Sequence, residues 1–220
     1  RGLAAVLRER FEADGNVTIV EGDALEFDLR PALCEQAAPR TICGNLPYYV
    51  TTPLIERIID AACWESAVLM VQREYAKRLV AKPGTPDYAS LTAFVGYHCL
   101  VEKLFDVGAA GFYPAPTVAS AVVRLAPRPD RSRGVRDEAL LLRTIRAAFS
   151  QRRKTLANCL VAAVAAVTRE KRTGGDSGRG DIEAAIRAAG LDPAIRGERL
   201  SLDDFRRLAN ALAAASVTLV

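Results

Sequence analysis

The sequence contains little that would support a membrane anchor, a disulfide framework or a metal centre. No apolar run approaches the roughly 20 residues that a membrane helix requires, and the chain does not open on a signal peptide at Arg1. The single histidine, His98, excludes a multi-histidine metal site, and its apolar segment predicts a core residue, so we expect no bound metal. The five cysteines are odd in number, scattered and without a C-x-x-C pair: Cys34, Cys43, Cys63, Cys99 and Cys159. This distribution predicts reduced thiols in a cytosolic protein, without a disulfide or zinc site.

Positive charge is concentrated in one part of the chain. The formal net charge is +4, yet residues 131–172 contain eleven Arg and Lys against three Asp and Glu. The stretches 1–130 and 173–220 are together net negative. A nearly neutral body with one basic segment indicates that one face contacts a polyanion, although Arg-rich helices can also simply be solvated.

Alternating strands and helices in the first half predict an α/β fold. The expected elements are a helix at 3–13, a strand at 17–22, a weak helix at 30–38, a strand at 41–43, a helix at 53–62, a strand at 67–71 and a helix containing Lys77 and Arg78. Thr52 is the expected N-cap of the helix at 53–62, with Pro53 in its first turn. Strands alternating with helices at this spacing argue for a parallel sheet flanked by helices.

The pattern changes after residue 90. Residues 90–107 are ambiguous between helix and strand, whereas 118–125 predict a strand that pairs antiparallel at the sheet edge. Beyond a linker at 127–134 only helical periodicity remains, and its segments are 137–149, 152–168, a glycine-rich loop from Thr173 to Gly180, 181–189 and 202–213. We therefore divide the chain into an α/β domain (1–127) and a small all-helical domain (135–220).

The most specific chemical signal is the run Asn45-Leu46-Pro47-Tyr48, called here the NLPY motif, which follows the strand at 41–43. Ligands of open parallel sheets bind beyond the carboxyl ends of the strands. An adenine amine is a poor nucleophile because its lone pair is delocalised into the ring. Two acceptors, the Asn45 side chain and the Pro47 carbonyl, could draw the nitrogen toward tetrahedral geometry and stabilise the charge that develops during methyl transfer. Tyr48 offers the base a stacking surface. The alternative is a plain strand-to-helix turn.

Three stretches resemble one known family. The NLPY motif is similar to that of the S-adenosylmethionine-dependent rRNA adenine-N6 methyltransferases. Residues 112–125, which open on Phe112, resemble the family block F-x-P-x-P-x-V-x-S-A-V-V-R-L. Residues 149–155 resemble the F-x-x-R-R-K-T signature of the dimethyladenosine transferases that modify small-subunit rRNA. The resemblance extends over essentially the whole chain, including residues 78–81.

This resemblance implies a Rossmann-like class I methyltransferase sheet with a small C-terminal helical domain. It implies transfer of methyl groups from S-adenosylmethionine to the N6 amines of two adjacent adenosines near the 3′ end of small-subunit rRNA. The enzyme would be a cytoplasmic monomer that takes part in biogenesis of the small ribosomal subunit.

The resemblance also implies roles for single residues. Asp23 and its neighbour Ala24 would bind the cofactor adenine, although an Asp after a strand is equally often a turn or helix cap. Asn45 would contact both the methionine end of the cofactor and the target amine. Tyr48 and Phe112 would stack on the two faces of a flipped-out adenine. The expected contacts to rRNA phosphates are Arg152, Arg153, Lys154, Lys77 and Arg78.

One departure from the family pattern concerns the cofactor. The family places a glycine-rich loop and an acidic ribose-binding residue before the helix with which the sequence opens at Arg1. We expect the polypeptide from Arg1 onward, without such an upstream segment, to bind S-adenosylmethionine weakly while its target-base site is intact.

Two alternatives stay open. The first is a large-subunit rRNA adenine-N6 methyltransferase of the antibiotic-resistance type, which shares the NLPY type of motif; the run Arg152-Arg153-Lys154-Thr155 favours the small-subunit branch. The second is a non-catalytic rRNA-binding assembly factor or a relative of mitochondrial transcription factors that keeps the fold. A DNA adenine methyltransferase is disfavoured because Asn45 replaces the acidic residue that usually opens that motif.

Overall fold

Four strands form one mixed sheet in the computed structural model, which describes residues 2–114, 116–171 and 178–219. The strands are β1 (Thr41–Asn45), β2 (Ser66–Gln72), β3 (Cys99–Val107) and β4 (Ser120–Pro127). Their spatial order is β1-β2-β4-β3, with β1 parallel to β2 and β4 antiparallel to both of its neighbours. The predicted α/β class and the antiparallel pair at the sheet edge are therefore confirmed.

The helices follow the predicted order with shifted ends. They are α1 (Gly2–Arg10), α2 (Leu29–Cys34), α3 (Thr51–Ala61), α4 (Arg73–Leu79), α5 (Ser90–His98), α6 (Glu138–Ala148), α7 (Leu156–Lys171), α8 (Arg179–Ala188) and α9 (Leu202–Ala214). The ambiguous stretch 90–107 is half helix and half strand, divided between α5 and β3. Of the predicted glycine-rich loop, residues 173–177 lie outside the described residues, and Arg179 and Gly180 already belong to α8. Among the described helices, none has the length and apolar character needed to cross a membrane.

The strand predicted at 17–22 is wrong, because these residues form no regular element. Val17 is 39% exposed and Val20 is 59% exposed, so the apolar side chains that suggested a strand are not buried. In the part of the chain that the structure describes, β1 pairs only with β2, and no strand offers residues 17–22 a ladder. A β-branched run without a neighbouring strand lacks the backbone hydrogen bonds that would stabilise it.

Two clusters of buried side chains stabilise the fold. The first lies between the sheet and α3, where Ile55 packs with Leu69 and Val123. The second lies among helices α6 to α9 and includes Ile145, Leu160 and Phe205. Helix α5 belongs to both clusters, since Val95 packs in the first and Tyr97 in the second. The division between residues 127 and 135 stays a prediction, with α5 as the helix that the two clusters share.

Buried hydrogen bonds join the segment between α4 and α5 to its surroundings. The Thr92 hydroxyl donates to the Arg78 carbonyl at the end of α4 (2.7 Å). The Tyr88 hydroxyl donates to the Leu200 carbonyl just before α9 (2.8 Å). Burial, with the nearby Asp204 carboxylate, raises the pKa of Tyr88 to about 12, so this hydroxyl keeps its proton at neutral pH. These bonds fix the helical part of the chain against α4.

The cysteines differ in part from the prediction. Cys34 and Cys63 form a disulfide, with their Cα atoms 5.1 Å apart, so the expectation of five free thiols is wrong. The two residues are 29 positions apart in the sequence. They meet because α2 packs on α3, which brings the end of one helix beside the end of the other. The other three cysteines are free, and burial raises the pKa of the Cys99 thiol to about 12.

His98 is a core residue, as predicted, and it gives the fold a measurable pH dependence. The ring is 8% exposed, and its Nδ1 lies 2.9 Å from the Arg131 guanidinium, which can only donate a hydrogen bond. Burial and then the Arg131 charge lower the pKa of His98 below its usual 6.5, against the smaller opposite effects of Glu138 and Asp60.

We therefore expect the free energy of unfolding to fall as the pH falls through 6.5 toward the lowered folded-state pKa. The unfolded chain binds the proton more tightly in that window, so the stabilisation is complete above the unfolded pKa and is lost on acidification. Urea unfolding monitored by circular dichroism between about pH 7.5 and 5.5 measures the slope. The His98→Gln variant should show a shallower slope, and equal slopes for the two proteins would contradict the assignment.

Candidate functional site

The NLPY motif lies at the carboxyl edge of the parallel strands. Asn45 is the last residue of β1, opposite Met70 of β2, and the Leu46 amide donates to the Met70 carbonyl (3.1 Å). The Leu46 side chain is buried, and it crosses Gly44 so closely that a Cβ at Gly44 would lie 3.0 Å from its Cδ2. The Asn45 side chain is exposed and makes no hydrogen bond within the described part of the chain. Leu46 thus anchors the strand end while Asn45 presents a free amide to solvent.

A 3₁₀ turn over Tyr48–Val50 links the motif to α3. The Val50 amide donates to the Pro47 carbonyl (3.1 Å), and the Thr51 hydroxyl donates to the same oxygen (3.1 Å) and to the Tyr48 carbonyl (3.3 Å). Thr51 is only 2% exposed, so this hydroxyl is held inside the turn. The predicted capping role of Thr52 is wrong: its hydroxyl pairs with the Tyr75 hydroxyl (3.0 Å) instead.

These contacts bear on which carbonyl can accept a hydrogen bond from a substrate. A carbonyl oxygen has two lone pairs, and both lone pairs of Pro47 already face donors, Val50 and Thr51. The Leu46 carbonyl accepts no hydrogen bond in the described part of the chain. The second acceptor beside Asn45 is therefore better supplied by Leu46 than by Pro47, which instead fixes the turn.

The Tyr48 side chain reaches past β2 to β4. Its hydroxyl lies 2.7 Å from Oγ of Ser120, a fully buried residue that opens β4 opposite Gln72. The loop that carries Phe112 runs from the end of β3 to this same Ser120, so it lies at the same edge of the sheet. Phe112 is half-buried and has extended backbone (φ −127°, ψ 151°). The structure thus brings the NLPY motif and the Phe112 loop to one edge; Ala115 lies outside the described residues.

Asp23 and Ala24 belong to the irregular segment between α1 and α2. Both residues are exposed, and without a strand at 17–22 neither follows a strand tip. The Leu25 amide donates to Asp23 Oδ1 (2.8 Å), the local turn contact that an Asp often makes. No hydrogen bond or ion pair among the described residues joins Asp23 to the NLPY motif.

Two of the five expected RNA-binding residues, Arg78 and Arg152, share one concave surface between α4 and the turn after α6, which Asp87 and Glu198 also line. A cleft of about 590 Å³ is lined by Arg78 from α4 and by Arg152 from this turn. Arg152 is not free, because its guanidinium donates to the Pro86 carbonyl (2.8 Å) and its Nε lies 3.8 Å from Glu198. Arg152 therefore joins the turn to the segment before α5 at the mouth of the cleft.

The other cations of α4, α6 and the turn after α6 differ in whether their side chains have partners. Arg153 and Lys154 are exposed and have no ion-pair or hydrogen-bond partner for their side chains among the described residues. The Lys77 ammonium pairs with Glu74 on the same helix (2.8 Å). Arg146 of α6 lines a smaller cleft of about 210 Å³ together with Thr52 of α3. The sequence analysis missed Arg146, Thr51 and Ser120, because their roles depend on which elements pack together.

This geometry defines a class of protein. An α/β sheet whose parallel strands end on an exposed asparagine and an aromatic turn is the arrangement expected of a Rossmann-like methyltransferase. The family described as "Ribosomal RNA adenine dimethylase" matches residues 1–174 of this chain.

Curated relatives agree with this match. The chain is 42% identical to "Ribosomal RNA small subunit methyltransferase A" of Aromatoleum aromaticum over 98% of this chain and 74% of the relative.

The protein of the same name from Pseudomonas aeruginosa is 41% identical over 96% of this chain and 72% of the relative. A crystal structure of a dimethyladenosine transferase from Plasmodium falciparum has a TM-score of 0.78 at 23% identity, covering 100% of this chain and 81% of that one. The 23S rRNA methyltransferase ErmE has a TM-score of 0.62 at 22% identity, covering 96% and 78%. These two structures share the fold. This chain belongs to the ribosomal RNA adenine dimethylase family.

Proposed function

We propose that this protein dimethylates the N6 amines of two adjacent adenosines near the 3′ end of small-subunit rRNA, with S-adenosylmethionine as methyl donor. The observation that carries the proposal is the free Asn45 amide beside the free Leu46 carbonyl at the carboxyl edge of β1. The names of the curated relatives favour the small-subunit substrate over the large-subunit one. We place the reaction in the cytoplasm, carried out by a monomer during biogenesis of the small subunit.

The residues of the motif act on the target amine. Asn45 Oδ1 accepts one amine hydrogen and the Leu46 carbonyl accepts the other, which draws the nitrogen toward tetrahedral geometry. S-adenosylmethionine, when bound, supplies an electrophilic methyl group. Because the acceptors are held by the end of β1, they do not reorganise during the reaction. The motif contains no strong general base, and this chemistry requires none to raise the nucleophilicity of the amine.

Two aromatic rings hold the target base. The Tyr48 ring is fixed through its hydroxyl to Ser120, so it offers a stacking face in a set orientation. Phe112, on the loop that reaches the same edge, covers the opposite face of an adenine turned out of its strand. Each stacked ring contributes about 1–3 kcal/mol to binding of a base.

We assign the cofactor contacts to side-chain donors and acceptors of Asn45 and Asp23 that have no hydrogen-bond partner among the described residues. The exposed Asn45 amide fits the polar methionine end of S-adenosylmethionine. Asp23 uses Oδ1 for its own turn, which leaves Oδ2 to accept a hydrogen bond from the cofactor adenine, with Ala24 beside it.

The buried Thr51 hydroxyl is expected to keep the motif in its reactive shape. Replacing Thr51 with valine removes the donor to Pro47 and Tyr48 at nearly constant volume, which should destabilise the fold by about 1 kcal/mol. The same change should lower kcat by about tenfold, because the Leu46 carbonyl is then less well positioned. Urea unfolding and single-turnover methyl transfer measure the two effects. Thr51→Ser keeps the hydroxyl and should restore most of both; a Thr51→Val enzyme with unchanged kcat would separate this turn from catalysis.

The unpaired cations after α6 are expected to contact rRNA phosphates. Replacing both Arg153 and Lys154 with glutamine should weaken rRNA binding at low salt and reduce the salt slope by about 2, one for each lost phosphate contact. Replacing Arg152 alone should instead lower the temperature of unfolding, because its guanidinium is bonded to Pro86. Binding titrations between about 50 and 200 mM salt separate the two classes. If the dependence of rRNA affinity on salt were unchanged in the double variant, Arg153 and Lys154 would not contact the rRNA phosphates.

The function itself is tested with ribosomal subunits that lack the modification. The full-length protein and radiolabelled S-adenosylmethionine are incubated with purified small and large subunits, and the methylated positions are found by primer extension and mass spectrometry. We expect N6,N6-dimethyladenosine at two adjacent positions near the 3′ end of small-subunit rRNA. Label in large-subunit rRNA would support the antibiotic-resistance alternative, and absence of label in both would support the non-catalytic one.

A further inference from the structure

Two tyrosines beside the proposed target pocket are almost completely exposed to solvent. Tyr49 is 89% exposed and Tyr113 is 102% exposed, the highest values among the large hydrophobic side chains that the structure describes. Each follows directly after an aromatic residue proposed to hold the target base, Tyr48 in one case and Phe112 in the other. An isolated exposed aromatic ring needs no explanation, but two at one site do.

The backbone explains why these rings point away from the pocket. Tyr48–Val50 is a 3₁₀ turn, in which successive side chains are rotated by about 120°. Since the Tyr48 ring is directed toward Ser120, the Tyr49 ring is directed outward. Phe112 is extended, and successive side chains of an extended chain point to opposite sides, which turns Tyr113 away from Phe112. Both outward rings therefore lie at the same edge of the sheet as the NLPY motif.

The chemistry of such rings fits unstacked nucleotides. A base turned out of its strand leaves its neighbours without their usual stacking partner, and aromatic side chains bind such bases with little dependence on sequence. A tyrosine offers a large apolar face on which an RNA base can stack, while its hydroxyl stays hydrated. Arg146, which lines a cleft together with Thr52 just after the Tyr49 turn, provides charge for the phosphates of the same strand.

We propose that Tyr49 and Tyr113 stack on the nucleotides that flank the target adenosine, one on each side of the pocket. This inference rests on the proposed function and extends it from the target base to the strand around it. When two adjacent adenosines are modified in turn, one of them is always a flanking nucleotide of the other. A stacking ring that tolerates any base can hold either neighbour, so the strand can move by one position without a new set of hydrogen bonds.

The test uses a labelled single-stranded RNA with two adjacent adenosines and 2-aminopurine at the position next to them. Binding is followed by anisotropy and stacking by quenching of the 2-aminopurine fluorescence. We expect Tyr49→Ala and Tyr113→Ala each to raise Kd by about tenfold, within the range of one stacked base, and to reduce the quenching. Tyr49→Phe and Tyr113→Phe keep the ring and should bind within about twofold of the unaltered protein. Leu100→Ala, an exposed apolar change at the opposite end of β3, is the matched control and should change neither quantity.

Methyl transfer to small subunits gives a second measurement. The alanine variants should raise KM for the subunits more than they lower kcat, because the rings contribute to binding in the ground state and the transition state alike. Unchanged Kd and KM in both alanine variants would overturn the inference while the unaltered enzyme still methylates, which leaves the proposed function intact. If the phenylalanine variants lost as much RNA affinity as the alanine variants, the tyrosines would act through a hydrogen bond of the hydroxyl and not through stacking. If KM for the subunits rose while Kd for the RNA stayed unchanged, the partner of the two rings would be a ribosomal protein and not RNA.

If the unaltered protein bound and quenched the RNA but transferred no methyl group, the stacking would stand and the proposed catalytic function would fail.

Discussion

Replacing Asn45 with alanine is expected to lower kcat for rRNA methylation by about 10²–10³-fold, the usual cost of one pre-positioned polar group that acts in the transition state. The side chain is exposed and forms no hydrogen bond within the described structure, so its loss should leave the fold unchanged. Kd for RNA should also change little, because the stacking rings and the cations remain. Single-turnover methyl transfer with saturating S-adenosylmethionine and unmodified small subunits measures the chemical step.

The control for Asn45 is another exposed asparagine, one that lies outside the NLPY motif. Asn16 lies in the turn after α1, and Asn16→Ala should leave kcat unaltered. A cellular complementation experiment then separates catalysis from assembly. If Asn45→Ala restored the growth of a strain that lacks the enzyme as well as the unaltered gene does, the protein would act by binding and the non-catalytic alternative would be preferred.

The sequence predicted correctly those elements whose own hydrophobic pattern determines which face is buried. The apolar run at 67–71 lies within β2, where it is buried on one face of the sheet. The periodicity at 202–213 gives α9, whose capping box between Ser201 and Asp204 marks its first turn. The stretch 90–107 could not be assigned because α5 is apolar on two sides, one for each cluster, and so lacks the one-sided pattern of a surface helix.

Other features depend on partners that are distant in sequence. The β-branched residues 17–22 have the composition of a strand, yet a strand requires a neighbour and the described residues provide none. The Cys34–Cys63 bond depends on the packing of α2 against α3. Thr51 and Thr52 are indistinguishable as capping residues in the sequence; only the 3₁₀ turn places the first of them under Pro47.

The same distinction applies to the site. The NLPY motif could be selected as a candidate site from its residues, because an amide, backbone acceptors and an aromatic ring directly after a strand fit the chemistry of an adenine amine. The choice between the Leu46 and Pro47 carbonyls could not, since it depends on hydrogen bonds to Val50 and Thr51 that only the folded turn forms. Arg152 matched the signature of a phosphate-binding residue, but the structure also gives its guanidinium a bond to Pro86. Sequence therefore predicted which residues are present at the site, and the fold determines which of their atoms are free.

Replacing Gly197 with alanine is expected to be the most destabilising small change in the helical half of the chain. Gly197 is buried in the 3₁₀ turn Gly197–Arg199, and a Cβ there would overlap the backbone carbonyl of Ala148, lying 2.8 Å from its carbon and 2.9 Å from its Cβ. Ala148 ends α6, so the neighbour that must move is helix backbone. The turn cannot retreat, because the Glu198 carbonyl accepts the Gly84 amide (2.7 Å). Overpacking of this kind costs about 3 kcal/mol, and for a chain of this size the midpoint of thermal unfolding should fall by about 10 °C.

Gly180 provides the matched comparison. It lies in the first turn of α8, and no heavy atom lies within 4 Å of the position that a Cβ would take there. Gly180→Ala should therefore raise stability slightly, by up to about 1 kcal/mol, through helix propensity alone. Urea and thermal unfolding of both variants measure the difference. Equal stability of the two alanine variants would mean that α6 and this turn are not packed as tightly as the contact with Ala148 requires.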